Sequence, residues 1–151
     1  ATTCKIMASD VSQEALAVAR ENAELNNCLG KIEFVKSDLF ANLPSGRRFD
    51  IIVSNPPYVA GHEFAWLQKE IGFEPKLALD GGRDGLAFYR SIIKEAPAFL
   101  KKNGFLAFEI GFSQAVAVKA MLKAGLFDKI GLIKDYNHIT RIVTAQYPWT
   151  N

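Results

Sequence analysis

Asp50-Ile51-Ile52-Val53 runs directly into Ser54-Asn55-Pro56-Pro57-Tyr58, and this passage decides the fold. Consecutive β-branched residues after an acidic one predict a buried strand. Two successive prolines cannot continue a central strand, because each lacks the N–H a ladder needs, so the chain must turn at Asn55. Upstream, Cys4 to Ala8 predicts a short buried strand stopping at Ser9-Asp10. Ser12 then stands as a helix cap, and Ala15, Leu16, Ala19, Ala23 and Leu25 follow at helical spacing to about Asn27. Gly30 marks the exit, and Ile32, Phe34 and Val35 predict a strand ending at Ser37-Asp38, with Pro44-Ser45-Gly46 as a loop. Downstream, residues 59–85 read as irregular, with an amphipathic stretch from His62 to Ile71 and a loop from Asp80 to Gly85. A helix is predicted from Leu86 to Lys101 with a kink at Pro97. Asn103-Gly104 turns into a strand from Phe105 to Ile110, and a helix from Ser113 to Lys123 is capped by Gly125. Strands at Lys129–Lys134 and Ile139–Gln146 follow without a helix between them, so they are expected to be antiparallel neighbours. This alternation predicts an α/β layered fold, mostly parallel, with an antiparallel C-terminal hairpin.

The 151 residues match the size of one domain, and 49% hydrophobic with 23% charged residues excludes a disordered chain. A net charge of +2 is too small to imply nucleic-acid binding by itself. No apolar run approaches the roughly 18 residues that span a bilayer, so no membrane is expected. Cys4 and Cys28 make no disulfide framework, which suits a reducing cytoplasm, and no base stands near either to make it a nucleophile. His62 and His138 lack metal-ligand spacing and read as loop histidines, so no metal is expected. Lys119, Lys123, Lys129 and Lys134 read as a solvated face, with contact to an acidic or RNA-bearing partner as the weaker alternative.

Ligands of open α/β sheets bind outside the carboxyl ends of the strands, and here those ends carry Asp10, Asp38 and Asn55. A carboxylate after an early strand suits a ribose diol, although Asp10 equally suits a helix cap or a solvated loop. Asn55-Pro56-Pro57-Tyr58 is more specific. A planar amide NH2 is a poor nucleophile because its lone pair is delocalised into the carbonyl. Activating it takes two acceptors for its hydrogens and none on the lone-pair face. The Asn55 side-chain oxygen and the Pro56 carbonyl can be those acceptors, the prolines fix the backbone, and Tyr58 offers a flat face. A rigid proline turn with a core tyrosine is the plainer alternative.

Val53-Ser54-Asn55-Pro56-Pro57-Tyr58 resembles the motif of S-adenosylmethionine-dependent methyltransferases acting on exocyclic or amide nitrogens. A second passage, Phe73-Glu74-Pro75-Lys76-Leu77-Ala78-Leu79-Asp80-Gly81-Gly82-Arg83-Asp84-Gly85-Leu86 with Phe88-Tyr89-Arg90 after it, resembles the HemK/PrmC family. Those are protein-(glutamine-N5) methyltransferases of the Gly-Gly-Gln (GGQ) motif in peptide-chain release factors. The resemblance runs from Lys5 to Tyr147 and implies a Rossmann-like class I methyltransferase fold with S-adenosyl-L-methionine as cofactor. It implies that Asp10 holds the cofactor ribose, that Leu39 lies against the adenine with Asp38 beside it, and that Asn55 touches both cofactor and substrate amide. Pro56, Pro57 and Tyr58 match the amide clamp, and Glu74 and Pro75 are expected to shape the substrate-side wall. The implied chemistry is direct in-line transfer, governed by positioning.

The family also has a glycine-rich loop after its first strand, where backbone must approach the cofactor closely. Nothing of that kind precedes Asp10, and the only glycine cluster is Gly81 to Gly85. Residues 1–151 are therefore expected to be a partial catalytic domain, with the first strand, the glycine-rich loop and the family's helical N-terminal domain missing. Unpaired sheet edges would then favour self-association. Two rivals remain at this stage. A DNA adenine-N6 methyltransferase shares the Asn-Pro-Pro-Tyr logic, but it would need base flipping and a target-recognition region that is not visible here, so nucleic acid is not the expected substrate. An inactive fragment or binding module is the other.

Overall fold

The computed structural model describes residues 4–66 and 75–148. The chain divides into two compact units, Ala1–Arg47 and Arg48–Asn151.

In the first unit, β1 (Ile6–Asp10) and β2 (Ile32–Lys36) pair in parallel, with Asp10 opposite Lys36. The strand expected at Cys4–Ala8 thus starts two residues later and carries Ser9 and Asp10 within it. The crossover is α1 (Gln13–Leu25), and Ser12 caps it as expected, its Oγ accepting from the Ala15 N–H at 3.1 Å. Leu16 and Ala23 are its buried positions. Leu25, expected on the apolar stripe, is 79% exposed, because the helix turns its last residue outward. The exit is made by Asn27 rather than Gly30. Asn27 adopts a left-handed φ of 55° and Cys28 N–H closes back on the Ala23 carbonyl at 2.8 Å, while Gly30 lies inside a 3-10 turn, Leu29–Lys31. Arg20 sits with its guanidinium 5.0 Å over the Phe34 ring.

In the second unit, β3 (Phe49–Ser54), β4 (Leu100–Glu109), β5 (Asp128–Lys134) and β6 (Thr140–Gln146) form one sheet in the order β3-β4-β6-β5. β3 and β4 are parallel, and β6 runs antiparallel to both β4 and β5, which gives the expected C-terminal hairpin. The helices are a short α2 (Lys76–Leu79), α3 (Ala87–Glu95) and α4 (Ala115–Ala124). Pro97 does not kink a long helix; it ends one. Ala96–Ala98 tightens into a 3-10 turn and Leu100 already opens β4, so Lys101 is strand and not helix. Asn103, at φ 59°, and Gly104 form an irregularity inside β4 rather than a turn before it. Gly125 ends α4, but Leu126 takes the left-handed step; Gly125 is needed because a Cβ there would stand 2.6 Å from Ile93 Cγ2.

The core of this unit lies where α3 and α4 cover one face of the sheet. Tyr89, Leu106, Phe108, Val118, Leu122 and Val143 are fully buried there. Tyr89 meets Phe108 edge-on, with ring centroids 5.2 Å apart. On the opposite face, Ile51 and Val53 of β3 are 59% and 75% exposed, so the strand expected to be buried is covered on one face only. Phe108→Ala removes the ring at the centre of that core and is expected to cost about 3–5 kcal/mol, read as a lower denaturation midpoint at unchanged slope in urea.

Candidate functional site

In the first unit, the C-terminal edge of the parallel pair brings Asp10 and the Asp38-Leu39 turn to the same side. Asp10 Oδ1 accepts the Ser12 N–H at 2.8 Å, which orients an exposed carboxylate at the mouth of the β1–α1 turn. Leu39 is half-buried in a left-handed conformation, φ 48°, unusual for a side chain with a Cβ. The buried Ser37 holds it there: its Oγ donates to the Leu39 carbonyl at 2.9 Å and accepts the Asn42 N–H at 2.9 Å. Asp38 is exposed beside it.

In the second unit, Asn55-Pro56-Pro57-Tyr58 leaves the C-terminal end of β3. Pro56 is buried, Pro57 and Tyr58 are half-buried, and Asn55 is exposed. The Asn55 side chain makes no hydrogen bond among the described residues. The turn is fixed by what surrounds Tyr58. Gln114 Nε2 donates to the Tyr58 carbonyl at 3.0 Å and to the Gly85 carbonyl at 3.1 Å. Its Oε1 accepts the Gly111 N–H at 3.0 Å. Just beyond, Val59 forms a parallel bridge with Asp80, through Val59 N–H to the Leu79 carbonyl and Gly81 N–H to the Val59 carbonyl, both 2.9 Å.

This closeness requires glycine. A Cβ at Gly81 would lie 2.8 Å from Tyr58 Cα, and one at Gly85 only 2.4 Å from the Tyr58 carbonyl oxygen, at a φ of +71°. The loop carrying these glycines is anchored to α3 by the Arg90 guanidinium, which grips both Asp84 oxygens. Desolvation pulls the Asp84 carboxyl upward, but the Leu86 N–H and Arg90 outweigh it and hold it below the usual carboxylate range. Under the turn, the Tyr89 hydroxyl donates to the Glu109 carbonyl at 2.9 Å. Burial pushes the Tyr89 phenol up, with the neighbouring Tyr58 and Glu109 adding to it and the Gly111 N–H partly opposing. An open cleft of about 440 Å³ lies against Tyr58, between Val59, Glu63 and the Gly111–Gln114 turn, with Phe112 72% exposed at its rim.

Of the expected residues, the structure joins Asn55, Pro56, Pro57 and Tyr58 in one turn and Asp10, Asp38 and Leu39 at one sheet edge. Pro75 is exposed and opens α2; Glu74 lies outside the described residues. His62 and His138 are exposed, and no cluster that could hold a metal occurs among the described residues. No helix among them is long and apolar enough to cross a membrane. Sequence reading missed Gln114, Gly111 and the packing role of Gly81 and Gly85. A glycine and a glutamine three residues apart just after a strand end mark a turn there, but not the distant carbonyls that Gln114 reaches.

The family model for methyltransferase small domains matches residues 1–72. The solved structure of a methyltransferase from Pyrococcus furiosus superposes with a TM-score of 0.68 at 22% identity, over 97% of this chain and 64% of that one. The fold is therefore that of the Rossmann-like class I methyltransferases. In sequence, the chain is 42% identical over 143 residues to the release factor glutamine methyltransferase of Cereibacter sphaeroides, covering 94% of this chain and 51% of that protein. It is 46% identical over 105 residues to the ribosomal protein uL3 glutamine methyltransferase of Francisella tularensis, covering 70% of this chain and 33% of that protein. In sequence the chain is thus similar to glutamine methyltransferases, and it spans about half the length of the curated relatives it matches, or less.

A raised phenol pKa means that the folded state holds the Tyr89 proton more tightly than the unfolded chain does. Its contribution to stability is full below about pH 10 and is lost as pH climbs from there through the folded value. Ultraviolet titration of the 4 tyrosines should show one that fails to ionise with the rest. Tyr89→Phe should remove that residue's share of the alkaline loss of stability, measured by thermal melting against pH.

Proposed function

We propose that this chain carries the amide clamp of an enzyme that methylates the side-chain nitrogen of glutamine in the GGQ motif of peptide-chain release factors, in the cytoplasm. One observation carries the reading: a rigid Asn55-Pro56-Pro57-Tyr58 turn at the C-terminal end of a parallel strand, with its Tyr58 carbonyl already engaged by Gln114. That engagement leaves the Asn55 side-chain oxygen and the Pro56 carbonyl to accept the two hydrogens of a substrate amide. With both hydrogens held, the nitrogen lone pair is turned toward the methyl group, and Tyr58 packs the flat amide.

S-adenosyl-L-methionine supplies a methyl group on a sulfonium whose departure needs no strong acid. The residues fit it. Ser12 N–H takes one position on Asp10, and a carboxylate has about four lone-pair sites, so acceptors remain for a ribose diol. Leu39, held in its turn by Ser37, offers an apolar surface of the kind an adenine face requires, with Asp38 beside it. Asn55 would meet the substrate amide, and Glu74 and Pro75 would shape the substrate side. The Francisella relative favours a second target with the same chemistry, a glutamine of ribosomal protein uL3.

The test supplies labelled methyl donor to the full-length protein with release factor, uL3 or DNA as acceptor. Label on the release factor glutamine is expected, and Asn55→Ala should lower turnover about 100-fold with circular dichroism unchanged. Label on DNA adenine, or near-normal turnover by the variant, would contradict the reading.

β1 and β3 each pair on one side only among the described residues. We expect the 151 residues alone to self-associate through these edges or to melt without cooperativity. A monomer in sedimentation velocity with a sharp melt would contradict that expectation.

A further inference from the structure

We infer that Gln114 is a positioning residue for methyl transfer: its carboxamide sets the backbone of the Asn55–Tyr58 turn and so aims the acceptors that hold the substrate amide. The inference rests on the reading above.

A carboxamide offers two N–H donors and one carbonyl oxygen, and all three functions of Gln114 are engaged. The oxygen takes the Gly111 N–H at 3.0 Å, and the nitrogen spans the Tyr58 and Gly85 carbonyls at 3.0 and 3.1 Å. The bond to Gly111 is local and could be read as part of the start of α4. The other two cannot, since they reach 56 and 29 residues away in sequence and do nothing for that helix. The slot is cleared for this one group. A Cβ at Gly85 would stand 2.7 Å from Gln114 Nε2, and one at Gly111 would stand 3.0 Å from Oε1.

Tyr58 is where such a hold has leverage. Pro56 and Pro57 lock their own φ angles, so the turn has little freedom to absorb a shift. Rotation of the Tyr58 carbonyl is therefore passed back to the Pro56 carbonyl and to Asn55. Gln114 touches neither cofactor nor substrate in this scheme; it acts through the turn.

The test uses two variants of the full-length enzyme. Gln114→Glu keeps the shape and the oxygen facing Gly111, but sets a second oxygen against two carbonyls. Gln114→Met keeps the bulk and removes the hydrogen bonds. Both should lower kcat about 100-fold while leaving KM for the methyl donor within about twofold. For Gln114→Glu alone, activity relative to wild type should recover as pH falls, because a protonated carboxyl can again donate one hydrogen. A residue that only supported folding would lower activity in step with the folded fraction, with no such difference between the variants. That result, or a kcat within about twofold of wild type, overturns the inference.

Hydrogen exchange separates this failure from failure of the functional reading. If the wild-type enzyme methylates no glutamine, the reading falls. The hold itself is then decided by the Val59 and Gly81 amides, which should exchange about tenfold or more faster in Gln114→Met, equivalent to about 1.4 kcal/mol of opening. Unchanged exchange at both overturns it.

Discussion

The Tyr58 carbonyl, bonded to Gln114 and walled in by glycine, is the point on which the second unit's polar edge depends. A hydrogen bond of this kind contributes only about 1 kcal/mol net, but leaving a half-buried carbonyl without a partner costs about 1–3 kcal/mol. The asymmetry explains why three segments distant in sequence converge there. Residues Asp80 to Gly85 approach because two positions lack side chains, and the Gly111–Gln114 turn approaches because Gly111 does. α3 steadies the assembly twice: Arg90 grips Asp84, and Tyr89 reaches the Glu109 carbonyl from the core. Within the passage that resembles the second family signature, Asp80 to Gly85 thus have a mechanical meaning, since they form the backing against which the proline turn is pressed.

The first unit solves a similar problem with different residues. Its strand-end turn must present Leu39 in a conformation that ordinary residues avoid, and one buried serine hydroxyl supplies the bonds that stabilise it. Asp10 is likewise oriented by the Ser12 N–H. In both units the strands deliver polar groups to their carboxyl ends, and short bonds from neighbouring loops fix how those groups point.

Much of this was legible in the sequence, for identifiable reasons. The β1 and β3 stretches declare themselves by β-branched and apolar runs that stop at Asp10 and Asn55, and Ser12 caps α1 as its chemistry predicts. Helix ends were less legible where residues other than glycine took the left-handed step, as Asn27 and Leu126 do. Pro97 was misread because a proline can kink a helix or end it, and only the start of β4 three residues later decides between the two. The exposure of Ile51 and Val53 could not be read from a β-branched run, which says that a strand forms but not what covers it. Gln114 escaped notice because its role depends on contacts 29 and 56 residues away, which no local pattern encodes.

The most direct test of this account is a crystal structure of the full-length enzyme with S-adenosylhomocysteine and a Gly-Gly-Gln peptide. The glutamine NH2 is predicted to lie within hydrogen-bond distance of the Asn55 side-chain oxygen and the Pro56 carbonyl, with Gln114 still bonded to the Tyr58 carbonyl. A glutamine bound away from that turn, or one that displaces Gln114 to reach the Tyr58 carbonyl, would contradict it.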